Sequence, residues 1–369
     1  MYIRDPIFGN VHLNSVEKKI LETEPMQRLR HIKQLGFVYM VYPGGTNTRF
    51  EHSLGTMHLT KAIMNNLGAY EEEVALVGLM HDIGHAPFSH SSDPELYKYL
   101  NTQHENVGEK IIRSSEIKDH ISAAGLSMSK LIKYFNGLGK GEIVTGAVGS
   151  DRIDYLSRDA MHTGVAYGII DYNRISAKFG FHKGKLAVYY EGLQGAESML
   201  IARYFMHNSV YFHHTVRIAT SMYRKALDSS IANGELNPES LFTFTDSQMQ
   251  EHLLNSKSSS ALMSKVINRK LFKRAYEGPA PQNMKIGEIE EAIERAGVNS
   301  DQYIIDATKP KGYEDNIIVI DKTNKVIGSI SSLSPLVATL QDILRKSSLI
   351  VATEKNKVSA VKEAIQKVL

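Results

Sequence analysis

A histidine and an aspartate stand side by side where an apolar helical segment stops, within residues 78–85. Imidazole nitrogen and carboxylate oxygen are ligands that suit a divalent ion such as zinc, manganese, iron or magnesium. This pair, His81 and Asp82, does not hold an ion alone, so it requires a further histidine and a further carboxylate from other elements. His52 and Asp151 meet that requirement. We therefore predict a site for one divalent metal ion with the ligands His52, His81, Asp82 and Asp151.

The second carboxylate lies at the start of a segment with a polar helical face. At 100° per residue, the segment 150–164 places on one side the residues Asp151, Tyr155, Arg158, Asp159 and His162. Ser150 is the predicted N-cap of this helix. The pattern by itself is more typical of an amphipathic surface helix. Asp151 is nevertheless assigned to the metal site, because the other three predicted ligands require a second carboxylate.

An arginine stands close to the first predicted ligand, since Arg49 precedes His52 by one helical turn. A guanidinium group binds phosphate oxygens through paired hydrogen bonds. A metal ion with an arginine beside it suggests a substrate that carries several anionic oxygens. Most of the 15 histidines are expected to be ordinary core or surface residues. His85 is an exception, because it follows the His-Asp pair so closely.

About the first 230 residues are predicted to be helices separated by short segments with glycine or proline. Apolar residues recur at helical spacing over residues 72–81, and Gly84 and Pro87 then stop this helix. Residues 186–190 are predicted to be a strand of a hairpin. Similar spacing predicts helices over 15–35, 54–67 and 104–113, and one long buried helix over 197–232, which lacks proline and glycine.

The character of the sequence changes after Asn233 and Gly234. A serine-rich loop at 256–260 is followed by segments that predict short strands over 316–320, 325–330 and 349–353 and a closing helix over 359–369. We therefore predict a mainly α-helical protein, with a helical core over 1–232 and a smaller α+β C-terminal domain over 233–369.

The composition excludes several classes of protein. The 369 residues include no cysteine, which excludes disulfides, thiolate metal ligands and a cysteine nucleophile. No apolar run approaches the roughly 18 residues of a membrane span, and the first residues lack the layout of a signal peptide. We therefore expect a cytoplasmic protein without membrane contact. The formal charge of +3 does not require a nucleic-acid groove, and a solvated helix face explains the lysines near the C-terminus.

The four predicted ligands match the His…His-Asp…Asp signature of the HD-domain metal-dependent phosphohydrolases. Beyond them, the segments 28–36, 49–55, 81–90 and 151–159 resemble the dNTP triphosphohydrolase branch, which comprises the sterile-alpha-motif-and-HD-domain enzymes and their prokaryotic relatives. The resemblance covers about residues 1–230, and the remainder matches only weakly. It implies an HD-domain helical core, hydrolysis of dNTPs to deoxynucleoside and tripolyphosphate, and a homo-oligomer. The metal would be one divalent ion, with Mn, Mg, Fe, Zn and Ni not distinguished.

The resemblance also implies roles for individual residues around the scissile phosphate. His85, His90 and His104 would line the site, and Asp93 would orient an imidazole. The phosphates would be contacted by Arg49, Arg152 and Tyr155. From spacing and type alone, His104 is equally consistent with an ordinary surface helix.

The sugar end of the substrate would be bound by a second set of residues. Gln34 and Leu35 would contact the sugar edge, and Asp159 and Tyr211 its 3′ side, with Tyr211 excluding a 2′-hydroxyl. His162 and His207 would stand nearby. Spacing alone places His207 and Tyr211 one helical turn apart, so that they project together, although core packing is the simpler reading of Tyr211 without the family.

Relatives in this branch include forms that are activated by a nucleotide through an Asp-Thr-x-x-x-Gln-x-x-Arg run. The corresponding run here is 22–30, in which Gln27 and Arg30 fit and Glu22 replaces the aspartate. A regulatory nucleotide at Gln27 and Arg30 is accordingly an expectation from the resemblance only.

Two alternatives to a dNTP triphosphohydrolase stay open. One is an HD phosphohydrolase for another nucleotide phosphate ester, although no Gly-Tyr-Pro motif follows the His-Asp pair and the acidic dyad of alarmone hydrolases is absent. The other is a non-catalytic HD module that binds a nucleotide. The full ligand set with neighbouring histidines argues against this module.

Overall fold

The computed structural model describes residues 1–281, 285–308, 317–344 and 347–368. Within them the protein is mainly α-helical, with small sheets concentrated in the second half, as predicted. Asn316 and Leu369, each at one end of an element predicted from the sequence, lie outside the described residues.

The chain begins with a β-hairpin that was not predicted, formed by β1 (Tyr2–Asp5) and β2 (Gly9–His12). Asp5 closes its turn, because Oδ1 accepts the backbone amides of Ile7 and Phe8 at 2.8 and 2.9 Å. A carboxylate that bonds amides two and three positions later is a common way to stabilise a turn. The hairpin therefore places Asp5 against the helices that follow.

The predicted helix over 15–35 is wrong, because the structure divides this segment into α1 (Ser15–Leu21), α2 (Glu24–Arg28) and a short 3-10 turn. Pro25 lies in the first turn of α2, where its missing N–H costs nothing, but it cannot continue a helix from α1. Thr23 between the two helices is extended. The chain therefore changes direction at Thr23 instead of continuing as one helix.

The helices of the first half are α3 (Arg49–Asn66), α4 (Glu72–Met80), α5 (Asp93–Leu100), α6 (His104–Ser114), α7 (Ile117–Ala123), α8 (Met128–Phe135), α9 (Glu142–Thr145) and α10 (Ser150–Thr163). The central helix α3 packs against α4 and α10. It starts earlier than predicted because Thr48 and Glu51 form a capping box. The predicted cap of α10 is wrong, since Gly149 is the N-cap and Ser150 Oγ bonds Thr60 Oγ1 at 2.7 Å.

The long helix predicted over 197–232 is also wrong. After α11 (Tyr172–Ser176), β3 (Phe179–His182) and β4 (Lys185–Tyr189), the chain forms α12 (Leu193–Met206), a π-helical turn (His207–Tyr211) and α13 (His214–Ala232). No glycine or proline marks this break. The break is held by side chains, because His213 Nδ1 accepts the amide of Thr215 and caps α13, and the Tyr211 hydroxyl donates to Asp159 at 2.8 Å.

The remaining elements are α14 (Asp246–Asn255), α15 (Ser260–Ile267), β5 (Lys273–Pro279), α16 (Ile286–Arg295), β6 (Tyr303–Thr308), β7 (Ile318–Ile320), β8 (Val326–Ser329), α17 (Ile330–Leu333), α18 (Pro335–Leu344), β9 (Ser348–Thr353) and α19 (Val358–Gln366). One sheet has the order β5-β9-β6 and is antiparallel. The other has the order β3-β4-β7-β8, with β4 and β7 parallel. This second sheet joins strands from both sides of residue 232, while the division into two domains stays a prediction.

Three apolar clusters stabilise these layers. The largest surrounds α3 and α4, the second lies between α13, α14 and one face of the β5-β9-β6 sheet, and the third lies between the opposite face of that sheet and α16 and α19. Over the described ranges, the helices include none with the length and apolar composition that a membrane crossing demands.

A buried acid in α5 makes stability depend on pH. Burial of the Glu95 side chain, partly opposed by Arg224, raises its pKa from 4.5 to about 7, and Oε2 has no hydrogen-bond partner in the described part of the chain. The folded state therefore holds a proton that the unfolded state releases above pH 4.5. This contribution to stability is full below pH 4.5 and is lost as the pH rises through 7.

We expect Glu95→Gln to stabilise the protein by about 2–3 kcal/mol at pH 8 and by much less at pH 5, because glutamine is neutral at both pH values. Urea denaturation at the two pH values measures the difference. Glu290→Gln, an exposed position on α16, is the matched control. An equal gain at both pH values would show that Glu95 is not the titrating group.

Candidate metal centre and substrate cavity

Four side chains carried by α3, α10 and the end of α4 meet at one point. The Nε2 atoms of His52 and His81 lie 3.1 Å apart. Asp151 Oδ1 lies 3.0 Å from Nε2 of His52 and 3.7 Å from Nε2 of His81. The oxygens of Asp82 lie 3.5 Å from Nε2 of His52 and 3.4 Å from that of His81. The structure thus brings the four predicted ligands together.

The second ring nitrogen of each histidine faces an acceptor. His52 Nδ1 lies 2.6 Å from Oδ2 of Asp154, and His81 Nδ1 lies 3.0 Å from the carbonyl oxygen of Gly78. Both acceptors favour the tautomer with hydrogen on Nδ1, which directs the Nε2 lone pair of each ring to the common point. His52, His81 and Asp82 lie close enough together to hold one ion, and Asp151 adds a second carboxylate beside both imidazoles. The residues present therefore fit a divalent ion.

Asp154 belongs to a chain of charges that reaches the N-terminal hairpin. Arg158, one turn later in α10, donates from Nε and Nη2 to the two oxygens of Asp154 at 2.9 and 2.8 Å. Its Nη1 forms an ion pair with Asp5 Oδ2 at 2.9 Å. His52, Asp154 and Arg158 are fully buried. The orientation of His52 is therefore determined by groups that water does not reach.

A glycine allows α3 and α10 to approach each other at this point. A Cβ atom at Gly55 would lie 1.8 Å from Oδ1 of Asp154 and 2.3 Å from Nη2 of Arg158. Any other residue would displace this ion pair and, with it, the acceptor that orients His52.

The charges around the centre favour a cation. Burial alone would raise the pKa of Asp82, but Arg49 and the nearby histidines hold it well below its usual range. The pKa of Asp151 is lowered against burial by hydrogen bonds to His52 and His81. Burial acts to lower the pKa of His52, yet the surrounding carboxylates raise it to about 10. The carboxylates that raise this pKa are the groups that a bound divalent ion would neutralise, and the ion would take the place of the second proton on His52.

Three further histidines form the wall next to the metal ligands. His85 Nε2 lies 3.3 Å from Oδ1 of Asp82. Its ring stacks on that of His104 with centroids 3.8 Å apart and meets His90 edge-on at 4.8 Å. Asp93 joins the two outer rings, since it lies 2.8 Å from Nδ1 of His90 and 3.6 Å from Nδ1 of His104. The predicted catalytic residues therefore form one cluster.

The pKa values of two histidines in this cluster, His85 and His104, are shifted in opposite directions. Burial, together with Arg49 and His104, lowers the pKa of His85 well below its ordinary value, so His85 is neutral near pH 7. Burial acts in the same direction on His104, but Asp93 outweighs it and raises the pKa of His104. The pKa of Asp93 itself is lowered, against burial, by hydrogen bonds to His104 and His90. Asp93 therefore favours the protonated form of His104.

Arg49 connects the metal ligands to the open space beside them. Its Nη1 donates to Asp82 Oδ2 at 2.6 Å, and its Nε donates to Ser89 Oγ at 2.9 Å. Its Nη2 is buried and finds no hydrogen-bond acceptor among the described residues. A guanidinium group held in this way, with a donor left over, suits an anionic oxygen of a ligand.

These groups open into one cavity of about 620 Å³, a volume in the range of small-molecule sites. The predicted site residues in its wall are Gln34, Leu35, Arg49, His81, Asp82, His85, His90, His104, Asp151, Tyr155, Asp159, His207 and Tyr211. His52 lies behind this wall and is fully buried.

A hydrogen-bonded carboxyl lies in the wall opposite the histidines. Asp159 accepts from the Tyr211 hydroxyl at 2.8 Å and from Asn47 Nδ2 at 2.9 Å. Burial raises the pKa of Asp159 to about 6, although these two donors act to lower it. His207 meets the Tyr211 ring edge-on at 5.2 Å, so the two residues project together as predicted. The pair Asp159–Tyr211 offers a fixed polar edge to a ligand.

Besides His52, five predicted residues are not in the described part of the cavity wall. One of them is Asp93, which contacts His90 and His104 from outside that wall. Arg152 donates from Nη1 to the carbonyl oxygen of Ala147 at 3.1 Å, and His162 is half-buried near the end of α10. Arg30, in the 3-10 turn after α2, donates from Nε to Gln27 Oε1 at 2.8 Å. Their proposed contacts with a substrate or a regulatory nucleotide stay predictions.

Sequence reasoning missed several residues in the same wall. They are Thr145, Arg203, Arg217, Thr220, Ser221, Arg224, Asp306 and Thr308. One signal was present, because Arg203, His207 and Tyr211 recur at intervals of four residues. No local pattern indicates that Asp306 and Thr308, far along the chain, reach the cavity.

Two family models match the chain. The model of the HD domain matches residues 49–159, and the model of the HD-associated region matches residues 170–369.

Relatives and solved structures agree with these matches. An uncharacterized protein of Methanocaldococcus jannaschii is 40% identical over 276 residues, which cover 73% of this chain and 58% of that relative. The deoxynucleoside triphosphate triphosphohydrolase SAMHD1 of Homo sapiens is 32% identical over 217 residues, which cover 47% of this chain and 34% of that enzyme. A crystal structure of a hypothetical protein from Aquifex aeolicus is similar over 99% of both chains, with a TM-score of 0.84 and 30% identity. The chain thus spans little more than half the length of the first of these relatives.

Proposed function

Because the chain belongs to the HD-domain family of phosphohydrolases, we propose that it is a metal-dependent hydrolase of deoxynucleoside triphosphates. The products are the deoxynucleoside and tripolyphosphate. The observation that carries this proposal is the shared cavity, in which the metal ligands and the histidine cluster face the Asp159–Tyr211 pair. One wall of this cavity has groups that can bind and activate a phosphate, and another has polar groups that can bond a sugar. The similarity to SAMHD1 supports the choice of substrate.

The reaction is a displacement at the α-phosphorus. A water oxygen forms a bond to this phosphorus, the bond from phosphorus to the 5′-oxygen breaks, and the 5′-oxygen takes up a proton. A divalent ion, when bound, stabilises negative charge on phosphoryl oxygens and lowers the pKa of water. Arg49 is placed to bind an anionic phosphate oxygen through Nη2, because Asp82 and Ser89 occupy its other donors. Fixed donors of this kind stabilise the charge that develops in the transition state.

The proton for the leaving oxygen comes from the outer part of the histidine cluster. His85 is neutral because burial lowers its pKa, so it is a poor donor at pH 7. His104 lies 3.6 Å from Asp93, which raises the pKa of this imidazole, and His90 bonds the same carboxylate at 2.8 Å. We therefore assign general-acid catalysis to this pair and its shared carboxylate.

Selection of the sugar is assigned to Tyr211 and Asp159. The Tyr211 ring is fixed by its bond to Asp159 and by contact with His207. A ring in a fixed position cannot move away from an added hydroxyl group, so a ribose with a 2′-hydroxyl is excluded by steric overlap. Gln34 and Leu35 lie in the same wall and are assigned to the sugar edge.

Replacing Asp93 with asparagine is expected to reduce kcat/KM by about 10- to 100-fold, a typical contribution of general acid catalysis. The pKa of His104 falls when the carboxylate is removed, because Asp93 is what raises it. The alkaline limb of the pH–rate profile should therefore move to lower pH. Rates between pH 5.5 and 9 measure both effects, with Asp119→Asn, an exposed position, as the control. An unchanged profile would exclude Asp93 from this role.

The proposed function is tested by incubating the metal-free protein with each dNTP and rNTP in the presence of Mg, Mn, Fe, Zn or Ni. Chromatography should identify tripolyphosphate and deoxynucleoside, with little turnover of rNTPs. Release of inorganic phosphate or pyrophosphate instead would support another phosphate-ester hydrolase. Binding without turnover under every condition would support a non-catalytic nucleotide-binding module.

Three other expectations accompany this proposal. They are a homo-oligomer, a cytoplasmic location and activation by a nucleotide bound at Gln27 and Arg30. The similarity to the dNTP triphosphohydrolase branch supports the first and third, and each stays a prediction.

A further inference from the structure

One face of α13 packs into the core, and another face is polar and lines the cavity. Apolar residues such as Ile218, Met222 and Tyr223 pack into the second core cluster. The residues at the spacing i, i+3, i+4 and i+7 are polar and line the cavity instead, and they are Arg217, Thr220, Ser221 and Arg224. Residues at this spacing share one side of a helix. Polar side chains that line a cavity are available to bind a ligand.

The same end of the cavity is completed by a strand of the C-terminal region. Asp306 and Thr308 occupy alternate positions of β6 and therefore point to one face of the sheet. Both line the cavity that contains the metal ligands. The C-terminal region thus contributes directly to the walls of the candidate site.

Arg217 links α13 to β6 through several hydrogen bonds. Its Nε donates to Asp306 Oδ2 at 2.6 Å, and its Nη2 donates to the Asp306 carbonyl oxygen at 2.9 Å. Its Nη1 donates to Ser348 Oγ at 2.8 Å. Arg217 is 7% exposed and Asp306 is 8% exposed. The geometry of this wall is therefore rigid, because a buried ion pair with several hydrogen bonds holds it.

Arg224 lies next to the histidine cluster, so the length of α13 between Arg217 and Arg224 indicates how far Asp306 is from that cluster. At the other end of the polar face, its Nε donates to the carbonyl oxygen of Ser91 at 2.9 Å and its Nη2 to that of His90 at 3.2 Å. Seven residues of α-helix separate Arg217 from Arg224, a rise of about 10 Å. A ligand with its reacting phosphate at the histidines would reach Asp306 only with a distant part.

The Asp306 end of this wall carries no net charge, because the guanidinium of Arg217 is paired with the Asp306 carboxylate. Arg224 donates only to neutral backbone carbonyl groups and keeps its positive charge, but it lies at the other end, next to the histidine cluster. Phosphate groups therefore gain little attraction at the Asp306 end. The Thr220 and Ser221 hydroxyl groups lie in the same wall, and the Thr308 hydroxyl, which bonds Ser348 Oγ at 2.8 Å, adds a further neutral polar group. Such a wall suits an uncharged planar ring with donors and acceptors.

We propose that Asp306 and Thr308, with the polar face of α13, form the subsite for the nucleobase of the substrate. This inference rests on the proposed function and extends it, because it assigns base selection to the C-terminal region. A buried polar group that loses its partner weakens binding of the matching ligand. We therefore expect the affinity of the subsite for each base to depend on that base's pattern of hydrogen-bond donors and acceptors.

The test compares Asp306→Asn and Thr308→Val with the wild-type protein for all four dNTPs. Asparagine keeps the shape of the Asp306 side chain while it changes one acceptor into a donor, and the second variant keeps the ion pair with Arg217. We expect the ratios of kcat/KM between bases to change by at least about 5-fold, the effect of one buried hydrogen bond. The matched controls, Asp301→Asn and Thr339→Val at exposed positions outside this wall, should leave the ratios unchanged.

Unchanged ratios in both folded variants would overturn the subsite and leave the proposed function intact. A uniform rise in KM for every base, with weaker inhibition by tripolyphosphate, would also overturn it, because the wall would then bind phosphates. If the wild-type protein hydrolyses no dNTP, the proposed function fails, and calorimetry with the four free deoxynucleosides decides the subsite separately. Base-dependent binding that both variants alter supports it, and binding that neither alters overturns it.

Discussion

Replacing Asp82 with alanine is expected to abolish stoichiometric metal binding and to lower dNTP hydrolysis by at least about 10³-fold, since the ion supplies several kcal/mol of transition-state stabilisation. Asp82 contacts both histidine ligands and Arg49, so its loss removes a ligand and also releases the guanidinium. Asp151→Ala should have the same effect on metal content, because Asp151 Oδ1 lies close to both Nε2 atoms. Elemental analysis of the purified variants and turnover with added manganese measure the two quantities.

The exposed residue Asp119 provides the control, and Asp119→Ala should retain metal and activity. Circular dichroism establishes that each variant is folded, so that loss of metal is not loss of structure. Full activity in both Asp82→Ala and Asp151→Ala would refute the ligand assignment. Activity without bound metal in either variant would refute the metal dependence.

Replacing Asp154 with asparagine is expected to lower the affinity for the ion by about 10- to 100-fold, although Asp154 is not a ligand. The Asp154 carboxylate accepts from His52 and thereby orients it, and the loss of such outer contacts typically has this effect. The metal-free protein should also lose about 3 kcal/mol of stability, because Arg158 then keeps only Asp5 as a buried partner. Chelator competition measures the first quantity and urea denaturation the second.

Ser157→Ala on the same helix is a suitable control, because Ser157 Oγ bonds only the carbonyl oxygen of Ile153 among the contacts described. A variant Asp154→Asn that is less stable but binds the ion as tightly as the wild-type protein would assign a structural role to the carboxylate. The expected result is a loss of both, since one network serves both purposes.

The metal ligands could be predicted because their chemistry restricts the choice of residue. In a chain without cysteine, an ion must be held by His, Asp or Glu, and an adjacent His81–Asp82 pair at a helix end is an unusual arrangement. Positions such as Asp154, Gly55 and Gly78 escaped prediction, since their roles depend on the distance between α3, α4 and α10. Residue types do not report such distances.

The limits of the fold prediction have the same cause. Strands and helices with strong local patterns, such as α4 and the β3–β4 hairpin, were recovered. The break between α12 and α13 was not, because it depends on contacts of Tyr211 and His213 and not on glycine or proline. The pairing of β4 with β7 joins Ala187 to Ile318, and the ion pair that holds β6 at the cavity joins Arg217 to Asp306, 89 positions apart. A single sequence contains no local signal for contacts across such separations.

The ion pair between Asp5 and Arg158 has a consequence for biosynthesis. About 150 residues must leave the ribosome after Asp5 before its partner appears, and at about 5–20 residues per second this takes on the order of 8–30 seconds. Until then the hairpin has no buried cation to contact, and His52 lacks both Asp151 and Asp154. A nascent chain therefore cannot assemble the four-ligand site before α10 has left the ribosome.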